Sequence, residues 1–220
     1  MKPTMIFMVL MAILVLPAHA ADPKTQAAAP DTDVKRLMAV KGDPAKGKDA
    51  YDICRGCHRA DAAGKADAGY PQLAGQHASV IIKQMLDVRA GRRDSPKMHP
   101  FITGEVVPEQ EIAHIAAFLN SLPVPTTNGK GSGRMLDLGK HLYERDCVEC
   151  HGKYGEGDGA KFYPRVAGQH YAYLYRESKE SRDKGRRNSN PDMVRVIKNY
   201  TDDDLKAVSD HMSRLVLPKR

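Results

Sequence analysis

The sequence predicts an all-α fold made of two tandem copies of one small domain, on three observations. Apolar residues recur at helical spacing in several segments, without a convincing strand pattern. Residues 69–77 recur at 162–170, with matching positions 93 residues apart. The pattern Cys-x-x-Cys-His occurs once in each copy, at residues 54–58 and 147–151, and uses all four cysteines. A repeat this long is not a solenoid unit and indicates a duplicated domain.

The predicted helices fall at equivalent places in the two copies. Residues 45–53 and 134–146 are expected to form helices that lead into the cysteine motifs. Residues 78–90 and 109–122 each carry apolar side chains on one helical face. Thr201 is a predicted N-cap, because three aspartates follow it and favour the positive end of a helix.

Composition divides the chain into five segments. Residues 1–20 are expected to be a signal peptide, and residues 21–39, rich in Ala, Pro and Asp, a mobile N-terminal arm. The first domain is placed at 40–123 and the second at 134–220. Residues 124–133 contain Pro, Gly and polar residues, which is typical of a linker.

The N-terminus has the pattern of a cleavable secretory signal. Lys2 precedes an apolar run over residues 5–16, and residues 18–20 form a small-x-small cleavage site. The run is shorter than the roughly 20 apolar residues that a membrane span needs. We therefore expect a periplasmic protein without a membrane span after cleavage, which leaves peripheral membrane association open. An uncleaved anchor is the alternative.

Each Cys-x-x-Cys-His motif predicts one covalently bound haem c, and hence two in the chain. Cys54 and Cys57, like Cys147 and Cys150, would form thioethers to the haem vinyl groups. The histidine that follows each pair, His58 or His151, would bind the iron. A four-thiolate zinc site, disulfides and a thioredoxin-like pair are alternatives. Zinc does not require the following histidine, and the thioredoxin-like motif needs a strand-then-helix context that is not seen here.

Methionines are the main candidates for the second ligand of each iron. Met98 and Met193 lie 40 and 42 residues after their histidines, each in a predicted proline-containing loop before the last helix. Met85 and Met212 lie within amphipathic helices, where core packing is the more ordinary role. The equivalent pair His77 and His170 keeps a bis-histidine alternative open, although helix capping or solvent contact is the ordinary role there.

A proline follows each motif histidine at the same distance. Pro71 and Pro164 both lie 13 residues after the histidine. A proline carbonyl at this place can accept a hydrogen bond from the ligand imidazole and raise its basicity. A simple loop proline is the alternative.

These motifs together resemble the dihaem cytochrome c4 family. Each half has Cys-x-x-Cys-His, Pro-x-x-Ala-Gly-Gln, a Gly-Arg-rich turn and a methionine loop. The resemblance implies His58/Met98 and His151/Met193 ligation, and haem propionate edges that meet between the lobes. It also implies single-electron transfer in the periplasm, often towards a terminal oxidase, and no enzymatic activity. Residues 194–198 depart from the first half and resemble the dihaem cytochrome subunit of flavocytochrome c sulfide dehydrogenase, which is the alternative function.

The charge favours redox protein partners with acidic docking surfaces. Loss of Lys2 leaves 33 of the 34 basic residues against 27 acidic ones, a formal charge of +6. Four of the basic residues cluster near one turn: Arg182, Lys184, Arg186 and Arg187. Such a field can steer docking; a solvated loop and pairing with haem propionates are the alternatives. Nucleic acid is not an expected partner of an exported haem protein.

Overall fold

The computed structural model describes residues 31–218, so the predicted signal peptide and residues 21–30 lie outside the described part. The first lobe contains α1 (Asp31–Ala39), α2 (Pro44–Ala50), α3 (Arg55–His58), α4 (Ala78–Arg89) and α5 (Glu109–Ser121). The second lobe contains α6 (Leu136–Asp146), α7 (Val148–His151), α8 (Tyr171–Arg182), α9 (Pro191–Ile197) and α10 (Asp202–Arg214). Within residues 31–218 extended pairing is limited to two isolated bridges, at Lys65–Tyr70 and Asp158–Tyr163. The predicted all-α fold is confirmed.

The predicted helix boundaries agree with the structure to within a few residues. Helix α2 begins where the Asp43 side chain accepts hydrogen bonds from two backbone amides, and a 3₁₀ turn over Tyr51–Cys54 continues it into α3. Helix α10 begins at the predicted N-cap, Thr201, which forms a capping box with Asp204.

Each lobe has its own apolar core. The first core is built mainly from α1, α4 and α5, with buried side chains that include Ile82, Ile112, Ile115 and Leu119. The second is built from α6, α8 and α10 and includes Leu142, Tyr143, Leu205 and Val208. Within residues 31–218, no helix is long and apolar enough to cross a bilayer.

The expectation of a mobile arm over 21–39 is wrong for its second half. Residues 31–39 form α1, and Val34 and Leu37 are fully or almost fully buried in the first core. Their spacing of three residues puts both on one helical face, and Arg36 pairs with Glu109 on α5 at 2.6 Å. The prediction used the overall composition of residues 21–39, in which these two apolar residues are outnumbered by polar ones.

The helix before each cysteine motif crosses the last helix of its lobe at a glycine. A Cβ atom on Gly47 of α2 would lie 1.9 Å from the carbonyl oxygen of His114 on α5. A Cβ atom on Gly139 of α6 would lie 2.1 Å from the carbonyl oxygen of Ala207 on α10. The two helix backbones therefore touch, and only glycine fits at the crossing.

The connection between the lobes is fixed to the second lobe. Asn128 donates to the backbone oxygens of Gln169 and Ser213, at 3.1 and 2.8 Å. The backbone amides of Gly131 and Gly133 donate to the carboxylate of Asp210. The second half of the segment predicted as a linker, from Asn128 to Gly133, is thus held by hydrogen bonds.

Substitution of Gly47 by alanine should destabilise the first lobe by about 2–3 kcal/mol, because a methyl group would overlap the backbone of α5. Guanidinium unfolding of the holoprotein, followed by circular dichroism, measures this change. Gly104→Ala is the matched control, since nothing lies within 4 Å of a Cβ atom there. Equal stability of the two variants would contradict the close contact.

Candidate haem sites

The two cysteine motifs fold alike, as one short helical turn after a longer helix. Cys54 ends a 3₁₀ turn and is followed by α3, while Cys147 is the N-cap of α7. In each motif the cysteines lie three residues apart, and the histidine lies four residues after the first cysteine. This spacing brings the three side chains to the same side of the turn.

None of the four cysteines is paired in a disulfide. Burial raises the pKa of the Cys54 thiol to about 11 and that of Cys147 to about 12. No group of three or more His, Cys, Asp or Glu side chains within residues 31–218 is arranged to hold a metal ion. The two pairs therefore do not converge on the four-thiolate zinc site, and they are not disulfides.

Each motif histidine is held by the predicted proline carbonyl. The Nδ1 atom of His58 lies 3.1 Å from the oxygen of Pro71, and that of His151 lies 3.0 Å from the oxygen of Pro164. A carbonyl only accepts, so Nδ1 carries the proton and Nε2 keeps its lone pair. Burial lowers the pKa of both imidazoles, although the proline bond opposes it. A neutral imidazole with free Nε2 fits an iron ligand.

Two glycines that the sequence reasoning missed make room for these carbonyls. Gly64 has φ +74°, and a Cβ atom there would lie 2.5 Å from the oxygens of Tyr70 and Pro71. Gly157 has φ +69° and would meet Tyr163 and Pro164 in the same way. Left-handed backbone and close approach both require glycine here. The signal was available, since both glycines follow the 93-residue repeat.

The two candidate methionines pack against the edges of their cores. Met98 lies just before a 3₁₀ turn at His99–Phe101 and packs against the first core. Met193 packs against the second core, but it lies in α9 and not in the expected loop. Pro191 at the start and an Asn190 side-chain cap explain this helix.

The alternative methionines are part of the core. Met85 on α4 and Met212 on α10 are both buried among apolar side chains. Their packing agrees with the ordinary role predicted for them.

The alternative histidine ligands lie at the interface between the lobes. The Nε2 atom of His77 lies 2.8 Å from the backbone oxygen of Glu156, and that of His170 lies 2.8 Å from the oxygen of Ala63. The Nδ1 atom of His170 also accepts from the amide of Gly129 at 3.1 Å. Both histidines occupy the N-cap position of their helices, as expected, but neither side chain makes a capping hydrogen bond. Nε2 of each ring is hydrogen-bonded to the opposite lobe and is therefore not available as an iron ligand in this structure.

The arginine cluster also lies partly in this interface. Arg186 forms an ion pair with Glu177 at 3.0 Å, and Arg93 from the first lobe reaches the same carboxylate at 2.8 Å. Burial alone would raise the pKa of Glu177, but the two arginine charges hold it below its usual value. Arg187 donates to the backbone oxygen of Gly91 at 2.7 Å.

Three members of the arginine cluster thus have contacts within the protein, and steering of docking by the cluster stays a prediction. Arg186 and Arg187 contact residues of this protein at the interface between the lobes. Arg182 forms an ion pair with Asp202 at 2.6 Å. Lys184 is exposed. A count of charged residues could not predict these contacts, because most of the residues that the arginines contact are distant from them in the sequence.

Each lobe thus contains the residues of the predicted haem site. It has two cysteines, a histidine with Nε2 available and a methionine at the edge of the core. These residues are Cys54, Cys57, His58 and Met98 in the first lobe, and Cys147, Cys150, His151 and Met193 in the second.

Both lobes match one family of known proteins, cytochrome c, over residues 44–123 and 136–215. The thiosulfate dehydrogenase electron acceptor of Stutzerimonas stutzeri (strain A1501) is 32% identical over 199 residues, which cover 81% of this chain and 90% of the relative. Cytochrome c4 of Azotobacter vinelandii is 29% identical over 196 residues, covering 81% of this chain and 92% of the relative.

Solved structures show the same two-lobed arrangement. Reduced recombinant cytochrome c4 from Pseudomonas stutzeri matches with a TM-score of 0.72 and 25% identity, covering 80% of this chain and 100% of that chain. Thiosulfate dehydrogenase (TsdBA) from Marichromatium purpuratum matches with a TM-score of 0.65 and 30% identity, covering 84% of this chain and 40% of that chain. The chain therefore belongs to the cytochrome c family as a dihaem member of the cytochrome c4 group, an electron-transfer protein with two covalent haem c groups and not an enzyme.

Proposed function

We propose that this protein carries single electrons between redox partners of a respiratory chain in the periplasm. Cys54 and Cys57 would hold the first haem, and His58 and Met98 would bind its iron. The equivalent residues of the second lobe are Cys147, Cys150, His151 and Met193. The observation that carries the proposal is the pair of Nδ1-to-proline bonds at 3.1 and 3.0 Å, which leave Nε2 of each motif histidine to face a metal.

Reversible one-electron chemistry is what the bound haem iron supplies. The chain's own residues then decide how that chemistry is used. A methionine thioether among the iron ligands would favour the ferrous state, which suits a carrier of high potential. Ligation by two side chains of the protein would leave no iron position for a substrate, and the reaction would then be limited to electron exchange.

Exposed apolar side chains next to the ligand segments provide contact points for partners. Ile53 adjoins Cys54, Phe101 lies three residues after Met98, and Val196 lies three residues after Met193; all three are exposed. Redox encounters bury little surface, under roughly 1,200 Å². Small apolar contacts beside each haem, within a basic protein, fit short-lived docking to acidic partners.

The donor we propose is a dehydrogenase of the kind that oxidises thiosulfate. The 32% identity to a thiosulfate dehydrogenase electron acceptor supports this donor class, and a terminal oxidase is the acceptor that the cytochrome c4 resemblance favours. The second candidate is a firmly bound cytochrome subunit of a periplasmic dehydrogenase, such as flavocytochrome c sulfide dehydrogenase. The match to part of a longer thiosulfate dehydrogenase chain favours keeping it.

Replacement of Met98 or Met193 by alanine should open one iron to carbon monoxide. We expect each single variant to bind carbon monoxide at one of its two ferrous haems, and the double variant at both, as measured by visible absorption. Met85→Leu and Met212→Leu are the controls, because they replace buried core methionines with side chains of similar volume. If Met98→Ala and Met193→Ala bind no more carbon monoxide than these controls, the axial assignment is wrong.

The mass of the secreted protein tests both haem attachment and export. In a host that matures c-type cytochromes, intact-mass spectrometry should find a chain that begins at Ala21 and carries two haem groups. The Cys54→Ser/Cys57→Ser double variant should carry one. Full-length protein in the cytoplasm, or a wild-type mass without haem, would contradict the proposal.

Salt should separate the two candidate functions. Salt screens electrostatic attraction, since the Debye length falls to about 3 Å at 1 M. A cytochrome that docks transiently through charge is therefore reduced more slowly by its donor, and dissociates from it, as ionic strength rises. We expect the rate of reduction by thiosulfate and purified thiosulfate dehydrogenase to fall with salt, and the proteins to separate on gel filtration. Co-elution in about 1 M salt would support the subunit instead.

A further inference from the structure

Two glutamine side chains cross the interface between the lobes with the same geometry. The amide of Gln169 accepts from the backbone N–H of Gln72 at 2.9 Å and donates to the backbone oxygen of Gln72 at 2.8 Å. The amide of Gln76 accepts from the N–H of Arg165 at 2.9 Å and donates to the oxygen of Arg165 at 3.0 Å. In each lobe, one glutamine side chain therefore binds both the backbone N–H and the backbone C=O of one residue in the other lobe.

The residue bound by each glutamine, Gln72 or Arg165, directly follows the proline whose carbonyl accepts a hydrogen bond from the motif histidine. The carbonyl of Pro71 and the N–H of Gln72 belong to one peptide group. Its oxygen accepts from His58, and its N–H donates to Gln169. A continuous chain of hydrogen bonds thus runs from a candidate iron ligand, through one peptide group, to the opposite lobe.

The second lobe repeats this chain. The oxygen of the Pro164–Arg165 peptide group accepts from His151, and its N–H donates to the side chain of Gln76. The two chains cross, so that each glutamine acts on the histidine of the lobe to which it does not belong.

The glutamine oxygens are held firmly in place. Besides the cross-lobe bond, the oxygen of Gln169 accepts from the backbone N–H of His170 at 2.9 Å. The oxygen of Gln76 accepts from the N–H of His77 at 3.0 Å. Gln72 and Gln169 are only 6% and 7% exposed, so water does not readily replace the bonds of the first chain; Gln76 and Arg165 are half-buried.

Hydrogen bonds in such a chain strengthen one another. An acceptor on the N–H of a peptide group polarises it and makes its carbonyl a better acceptor, particularly in a buried site of low dielectric. A stronger bond to the carbonyl makes the imidazole a more basic ligand. A more basic ligand stabilises ferric iron and lowers the reduction potential, since hydrogen bonding around the ligand is one of the means by which proteins tune haem.

We propose that Gln169 and Gln76 are crossed positioning residues, each setting the reduction potential of the haem in the opposite lobe. This inference rests on the proposed ligation by His58 and His151. Gln169 acts on the first haem and Gln76 on the second, through the peptide group that carries the proline carbonyl. Neither glutamine touches the ligand that it influences.

The test is replacement of each glutamine by methionine, which keeps the length of the side chain and removes both hydrogen bonds. The potentials are measured by a redox titration followed by NMR, in which the signals of each haem are resolved separately. In Gln169→Met the potential of the first haem should rise while that of the second is unchanged. In Gln76→Met the pattern should reverse.

A second readout reports the hydrogen bond itself. In the reduced, diamagnetic holoprotein, the Nδ1 proton of His58 should move upfield in Gln169→Met, because its bond to the proline carbonyl weakens. The Nδ1 proton of His151 should not move. Gln76→Met should again give the reverse result.

Ser79→Ala is the matched control for general loosening of the interface. Ser79 donates to the backbone oxygen of Gly159 across the lobes at 2.6 Å, outside either chain of hydrogen bonds. This variant should leave both potentials and both Nδ1 protons in place. An equal shift in Ser79→Ala, or a shift of the same haem by both glutamine variants, would overturn the inference.

Failure of the inference is distinguishable from failure of the proposed function. Wild-type protein that lacks two histidine-ligated haems would refute the ligand assignment. Two such haems whose potentials do not respond to the glutamine variants would refute the crossed tuning alone. Circular dichroism of each variant checks that the lobes remain folded.

Discussion

The close contact of two helix backbones at a single glycine organises each lobe. Gly47 and Gly139 bring the helix that precedes the cysteine motif directly against the last helix of the same lobe. The turn that carries the cysteine motif begins where that first helix ends, so the helix crossing determines the position of the motif. The following loop, turned by Gly64 or Gly157, then places a proline carbonyl under the motif histidine. Backbone contacts thus position the motif histidine.

Much of this arrangement could be predicted from the sequence, because the signals are local. Thr201 followed by three aspartates predicted the start of α10, and the spacing of 13 residues predicted the bonds between the histidines and the prolines. The cysteine motifs carry their own geometry within five residues. Each of these features depends on neighbours that are close in the chain, and the repeat shows each of them twice.

The features that were missed depend on partners from elsewhere in the structure. Val34 and Leu37 form a stable helix only because the first core receives them. His77 and His170 looked like capping residues, but their ring nitrogens bind carbonyls 79 and 107 residues away. Arg186 and Arg187 looked like free surface charge, but their contacts include residues of the other lobe. Met193 was predicted to lie in a proline-containing loop, but Asn190 and Pro191 start the helix that contains it.

The contacts between the lobes have the form of an isologous dimer that has been joined into one chain. Gln76 meets Arg165 as Gln169 meets Gln72, and His77 meets Glu156 as His170 meets Ala63. In a dimer of identical subunits every substitution would appear on both sides. Fusion removes that constraint, and the positions equivalent by the repeat have diverged to Gln84 in one half and Glu177 in the other. A neutral amide in one half therefore corresponds to a carboxylate in the other, and at this position the interface is no longer electrostatically symmetric about the repeat.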